Sequence, residues 1–253
     1  MHNDEILILN KISFKSGRGE NLADISFSIN RGENVVIFGP EESGMHIICQ
    51  LISGMEQGFT GEIYYKGRPI KSFDYVENHK YRKEIGYLQM NYGLISNMTV
   101  EENISLPLKY HSKLSSKEIE ELVGRYIKDM ELEHCRKFRP VNLLKSEVLK
   151  TAFIRSIALN PDLLLVENAL EGQCMLNVQT FLNALKKKSL DRGISAVIVT
   201  YYPRLFAEFS NKFIMLYDGG IVFQGSREEL LSSDNTYLQQ YLNSSVTGPM
   251  KVL

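Results

Sequence analysis

Gly39-Pro40-Glu41-Glu42-Ser43-Gly44-Met45-His46 is the stretch on which the reading of this chain turns. Gly39 and Gly44 have the spacing of the phosphate-binding loop Gly-x-x-x-x-Gly-Lys-Ser/Thr. Before them, Val35-Val36-Ile37-Phe38 is a short apolar run suited to a strand buried on both faces. After them, residues 46–52 read as an apolar helix, with Ile47 in its first turn. Strand, tight loop and helix in that order open an α/β unit. In a working loop of this kind, successive backbone N–H groups and the helix N-terminus cradle phosphates. A lysine adds a point charge, and the hydroxyl after it ligates magnesium. Here Met45 stands at the lysine position and His46 at the hydroxyl position. Glu41 and Glu42 add two carboxylates where a polyanion would sit, so the frame is present without its chemistry.

Outward from the loop, residues 5–15 and 23–29 read as strands separated by a turn at 16–19. Residues 61–67 and 85–89 read as further strands. Ser115 with Glu118 forms a helix-capping box, followed by Ile119, Leu122, Val123, Tyr126, Ile127 and Met130 at helical spacing. Residues 146–159 predict a second amphipathic helix, ended by Asn160-Pro161, and 178–187 a third. Residues 163–166 and 196–200 are apolar runs for buried strands. Residues 213–217 and 221–224 form a hairpin about Asp218-Gly219-Gly220. Short helices at 227–231 and 236–242 precede a polar tail, 243–253. The outline is one α/β domain over residues 1–242, with a helical insertion between about 90 and 155.

At 253 residues the chain suits one or two domains, and 43% hydrophobic with 23% charged residues is globular usage. Lys plus Arg is 29 against Asp plus Glu 30, a net charge of −1, which lacks the basic excess of a nucleic-acid binder. No apolar stretch approaches the roughly 20 residues of a membrane span. Met1-His2-Asn3-Asp4-Glu5 is polar and acidic, unlike a secretory leader. Three widely spaced cysteines, Cys49, Cys135 and Cys174, predict a reducing compartment with no disulfide or zinc framework. The expectation is a soluble cytosolic protein that holds no metal through its cysteines.

From end to end, the chain resembles the nucleotide-binding subunits of ABC transporters, and within them the ATPase subunit of the Mla-type, MCE-associated phospholipid transporters. The resemblance rests on Ile85-Gly86-Tyr87-Leu88, Gly93-Leu94-Ile95 and Met98-Thr99-Val100-Glu101-Glu102-Asn103-Ile104, then Leu106-Pro107-Leu108. It continues in Arg155-Ser156-Ile157-Ala158-Leu159-Asn160-Pro161-Asp162 and in Tyr217-Asp218-Gly219-Gly220-Ile221. The tail, Tyr237-Leu238-Gln239-Gln240-Tyr241-Leu242 with Gly248-Pro249, is similar to the Mla-type C-terminus. It implies a RecA-like P-loop core with an N-terminal antiparallel β-subdomain and an inserted helical subdomain.

The resemblance also assigns roles, and most are lost. The magnesium-holding aspartate falls on Glu167, and the general-base glutamate on Asn168, which cannot accept a proton at neutral pH. The Q-loop glutamine falls on Met90, with Gln89 one place earlier. The signature falls on Leu143-Leu144-Lys145-Ser146-Glu147, the D-loop aspartate on Cys174 and the switch histidine on Tyr201. The adenine-stacking aromatic falls on Ser16, with Phe14 two places earlier. His46 is a poor stand-in for the lost lysine, since a free imidazole is largely neutral at pH 7. Gln89 is a poor stand-in for the glutamine, since a one-residue slip on a strand reverses its facing.

By contrast, Tyr92, Leu94, Ile95 and Met98 fall where a permease helix docks in this family. They either receive such a helix or cover the helical subdomain's own core. The expected function is a pseudo-ATPase, a structural or regulatory half of a lipid transport complex, with no cofactor. It would sit at the inner face of the membrane through a permease, beside a second nucleotide-binding subunit, identical or different. The alternatives are a weak Mg-ATP-dependent subunit that completes a site with a competent partner, and a free-standing adaptor.

Overall fold

In the computed structural model, residues 4–15, 17 and 21–251 are described, the side chains of 189, 190 and 192 excepted. Ser16 and most of the turn expected at 16–19 lie outside them. The elements run β1 (Glu5–Lys15), β2 (Asn21–Asn30), β3 (Asn34–Phe38), α1 (Met45–Ile52), β4 (Thr60–Tyr65) and β5 (Arg68–Pro69). Then come α2 (Tyr75–Glu84), β6 (Ile85–Leu88), α3 (Val100–His111), α4 (Ser116–Asp129), α5 (Lys145–Ile157) and β7 (Leu163–Glu167). The chain ends with α6 (Met175–Arg192), β8 (Ser195–Thr200), β9 (Lys212–Tyr217), β10 (Gly220–Ser226), α7 (Arg227–Ser232) and α8 (Thr236–Leu242).

Two sheets result. A four-stranded antiparallel sheet has the order β2-β1-β4-β5, and a six-stranded sheet has the order β10-β9-β3-β8-β7-β6. Strands β9, β3, β8, β7 and β6 are parallel, with β10 antiparallel at the edge. β7 and β8 are buried at every residue, which is why they read as unbroken apolar runs. One core cluster fills the space between the two sheets and holds α1. A second packs α5, α6 and the C-terminal helices on the other face of the six-stranded sheet. A third, around Val100, Ile104, Ile119, Val123 and Ile127, lies under the inserted helices. This is the expected α/β core with an antiparallel β-subdomain and a helical insertion.

The parallel order brings four strand ends to one edge. Phe38 at the end of β3 pairs with Thr200 on β8, and Glu167 at the end of β7 pairs with Val199. β6 ends at Leu88, one residue earlier than expected. That edge, at the carboxyl ends of the strands, is where open α/β sheets place their ligands.

Candidate functional site

The loop keeps its shape through Gly44, which sits at φ 84° as the residue before α1. A Cβ there would lie 2.5 Å from the Asn21 carbonyl oxygen, so this position accepts no side chain without backbone movement. Glu42 also has positive φ, and both Glu41 and Glu42 are exposed. They line a cleft of about 960 Å³ shared with Pro40, Tyr201, Tyr202 and the C-terminal segment. Ser43 Oγ is buried and has no hydrogen-bond partner.

Met45 is fully buried and belongs to the core between the sheets. The side chain at the lysine position therefore points into packing rather than toward a phosphate. His46 is half-buried and fully engaged. Its Nδ1 lies 3.1 Å from Glu167 Oε1 and its Nε2 lies 3.1 Å from the Tyr201 hydroxyl. Tyr87, on β6, donates its hydroxyl to Glu167 Oε2 at 2.5 Å. One proton arrangement satisfies all four groups: Tyr87 O–H and His46 Nδ1–H donate to Glu167, and Tyr201 O–H donates to His46 Nε2. Burial, with Cys49 and Glu167 nearby, pushes the Tyr87 phenol far up, which keeps it a donor. Tyr241, from α8, closes the far end by donating to the backbone carbonyls of Gly39, at 3.0 Å, and Tyr201, at 2.8 Å. The four strand ends are thus joined to one another through side chains.

Asn168 is buried at φ 41°, a conformation asparagine tolerates better than most residues. Its Nδ2 donates to Glu171 at 2.7 Å and its backbone N–H to Val199 O at 2.8 Å. Met90 is 49% exposed. Gln89 lies beyond the end of β6, so strand alternation does not set its facing, contrary to the expectation from a strand slip. With Tyr87, Met90 and Glu167 it lines a cleft of about 440 Å³. In the signature-equivalent segment, Leu144 is exposed and Glu147 is buried. Glu147 accepts the Leu144 N–H at 2.8 Å and lies 2.6 Å from His134 Nε2. Lys145 and Cys174 are exposed.

Tyr92 and Leu94 pack against the second core cluster, and the Tyr92 hydroxyl donates to Ala169 O at 3.1 Å. That cluster belongs to the six-stranded sheet and not to the helical subdomain whose core they were expected to cover if they did not receive a permease helix. Ile95 and Met98 are half-buried and lie outside that cluster. The contributions of Tyr87 and Tyr241 are not legible in the sequence: both look like strand and helix packing until the tertiary fold carries their hydroxyls to the strand ends.

The family profile described as "ABC transporter" matches residues 22–171. The chain belongs to the ABC transporter family. Its relatives in that family include the intermembrane phospholipid transport system ATP-binding protein MlaF of Haemophilus influenzae, 22% identical over 98% of this chain and 94% of that protein. The methionine import ATP-binding protein MetN of Campylobacter jejuni is 27% identical over 88% of this chain and 71% of its own length. Among solved structures, cbiO1 of Clostridium perfringens, part of the ABC transporter complex cbiONQ, superposes with a TM-score of 0.80 at 21% identity, covering 92% of each chain. The ATP-binding cassette MJ0796, solved as a dimer bound to ADP and Pi, superposes at 0.78 with 25% identity, over 87% of this chain and 98% of that one. The chain thus has the fold of an ABC nucleotide-binding subunit. No described helix is long and apolar enough to cross a membrane.

The residues present do not fit Mg-ATP. Residues 39–47 contain no lysine or arginine to meet a phosphate, and His46 already has two partners. Glu167, the carboxylate at the magnesium-holding position, is held by Tyr87 and His46.

Proposed function

We propose that this ABC subunit is a pseudo-ATPase that serves as a structural half of a transporter without turning over nucleotide. The observation that carries the reading is the chain Tyr87–Glu167–His46–Tyr201, which saturates the polar groups at the strand ends. Phosphoryl transfer needs positioned cations and a water-orienting group. Here those places are taken by a buried methionine, a bound imidazole and an asparagine tied to Glu171. The likeness to MlaF favours a lipid as the cargo of the complex.

Titrating the purified chain with Mg-ATP tests the first part. Hydrogen bonds to a charged group contribute about 1.5–3 kcal/mol each. Losing the lysine and the magnesium-ligating hydroxyl should weaken binding by roughly two to four decades. We expect no saturation below millimolar nucleotide. A dissociation constant in the low micromolar range would instead favour a subunit that completes a site with a competent partner.

The second part is attachment to a permease at the inner face of the membrane, beside a second nucleotide-binding subunit. The backbones of Ile95 and Met98 are tied to the Asn103 side chain, which also accepts from Arg155. Arg155 in turn borders a groove of about 390 Å³ lined by Leu106, Pro107, Tyr110 and Leu159. An amphipathic helix of a permease fits such a surface. Introducing Ile95→Asp together with Tyr110→Asp should abolish co-purification with the permease, and Tyr110→Asp alone should weaken it while leaving the melting temperature nearly unchanged. Tyr110 is 75% exposed, so the loss would come from unpaired charge buried at the interface. Unaltered co-purification would put the docking surface elsewhere, and a parent chain that co-purifies with no permease would favour the free-standing adaptor reading.

A further inference from the structure

The loop after α4 and the first turn of α5 bring together three donors of different chemistry. A ring nitrogen of His134, Cys135 Sγ and a carboxylate oxygen of Glu147 all lie within 4.8 Å of one another. His134 and Cys135 sit in a short 3-10 turn, Glu133–Cys135, and Glu147 in the first turn of α5. We propose that these three side chains bind a zinc-class divalent cation and that the ion pins the signature-equivalent helix to the end of α4. The site lies outside the strand-end network and does not depend on the pseudo-ATPase reading.

The donor set favours a borderline-soft ion: thiolate, imidazole and carboxylate are zinc ligands, whereas magnesium and calcium take oxygen. Tetrahedral zinc at its usual bond lengths holds its ligand atoms about 3.4–3.6 Å apart. The 2.6 Å contact between His134 and Glu147 must therefore open by about 0.9 Å, and the widest pair must close by about 1.2 Å at most. His134, whose side chain is 64% exposed, can make most of that adjustment by rotation. Glu147 is already oriented: Oε2 caps the Leu144 N–H while Oε1 faces His134, the outer contact a metal-binding carboxylate needs.

Two features oppose the ion. Lys150 acts on both Cys135 and Glu147, and the N-terminus of α5 carries positive partial charge. The thiolate and the carboxylate together offset the ion's double charge, so the first shell is neutral. The Cys135 thiol, pushed up by burial and by Glu147, donates to Leu132 O at 3.4 Å in the metal-free chain. Binding exchanges that S–H bond for a metal–sulfur bond and releases one proton to water, with no change in oxidation state. Water supplies the fourth ligand on the exposed His134 side.

Cobalt(II) titration of the chelator-treated full chain provides the test, because a thiolate-to-cobalt charge-transfer band reports sulfur ligation directly. We expect one cobalt per chain, displaced by Zn²⁺ and not by Mg²⁺. The band should persist in Cys174→Ser and vanish in Cys135→Ser. Since Cys135 is buried, His134→Ala serves as the variant least disturbing to the fold. It should weaken Zn²⁺ binding by at least about a hundredfold, beyond the tenfold to hundredfold that loss of an outer-shell partner costs. It should also abolish the rise in melting temperature that Zn²⁺ gives the parent chain. A band that survives Cys135→Ser, a Zn²⁺ affinity indifferent to His134→Ala, or the absence of any charge-transfer band would overturn the proposal.

Discussion

Glu167→Ala should lower the stability of this chain by about 2–4 kcal/mol, since it strips two part-buried donors of their acceptor at about 1–3 kcal/mol each. Glu167 is 8% exposed and accepts one hydrogen bond from Tyr87 and one from His46. Alanine would leave the Tyr87 hydroxyl and the His46 ring without their shared partner at the edge of the cleft of about 440 Å³, where water offsets only part of the loss. For a chain of this length, the loss corresponds to a fall in Tm of roughly 4 °C or more. Glu167→Gln keeps one acceptor oxygen for Tyr87 and turns an amide N–H to His46, whose other tautomer accepts it and donates to Tyr201, so it should cost much less. The sign of the effect discriminates between the two readings of the site. A carboxylate kept for a metal ion is commonly a stability liability, and its removal is neutral or stabilising. A Glu167→Ala chain that melts at or above the parent temperature would mean that the network is incidental and that the carboxylate awaits a ligand.

What could be read from the sequence was position more than direction. β3, β7 and β8 announced themselves as apolar runs, and the Ser115–Glu118 box marked the start of α4, because these signals are local. α2 did not, since Tyr81 is its one buried residue and no apolar stripe marks it. Its Asp74–Glu77 capping box was the available signal. α3 runs through Pro107, a residue that more often stops a helix, and its packing on α4 and α5 carries it past the missing hydrogen bond. At the site, the lost lysine and lost hydroxyl were legible as substitutions. That Met45 is core, and that His46, Glu167 and Tyr201 replace a ligand with one another, is not, because residues 121 and 155 positions from His46 meet it only through the sheet order. The pairing of Glu147 with His134 likewise depends on how the end of α4 turns back onto α5.

Met45→Lys, the simplest restoration of a phosphate-binding loop, should damage the chain rather than revive it. Met45 has no exposed surface and packs in the cluster that includes Leu22, Ile25 and Val35. A lysine following the same side-chain path would bury an ammonium among apolar groups, at a cost of about 3–5 kcal/mol unless it swings out or sheds its proton. If it swings out, the nearest charges on the loop are Glu41 and Glu42, which would hold it as a salt bridge instead of presenting it to a phosphate. Adding His46→Ser supplies a hydroxyl but takes a partner from both Glu167 and Tyr201, so the two changes compound the loss. Asn168→Glu would add a third carboxylate beside Glu167 and Glu171, at a left-handed backbone position. Thermal melts with and without Mg-ATP read all of this at once. We expect each variant to melt below the parent, with no nucleotide-dependent rise. If Met45→Lys melted with the parent and gained micromolar Mg-ATP affinity, the buried methionine would be a recent substitution in an otherwise intact nucleotide site, and the subunit would have to be regarded as an ATPase one residue from function.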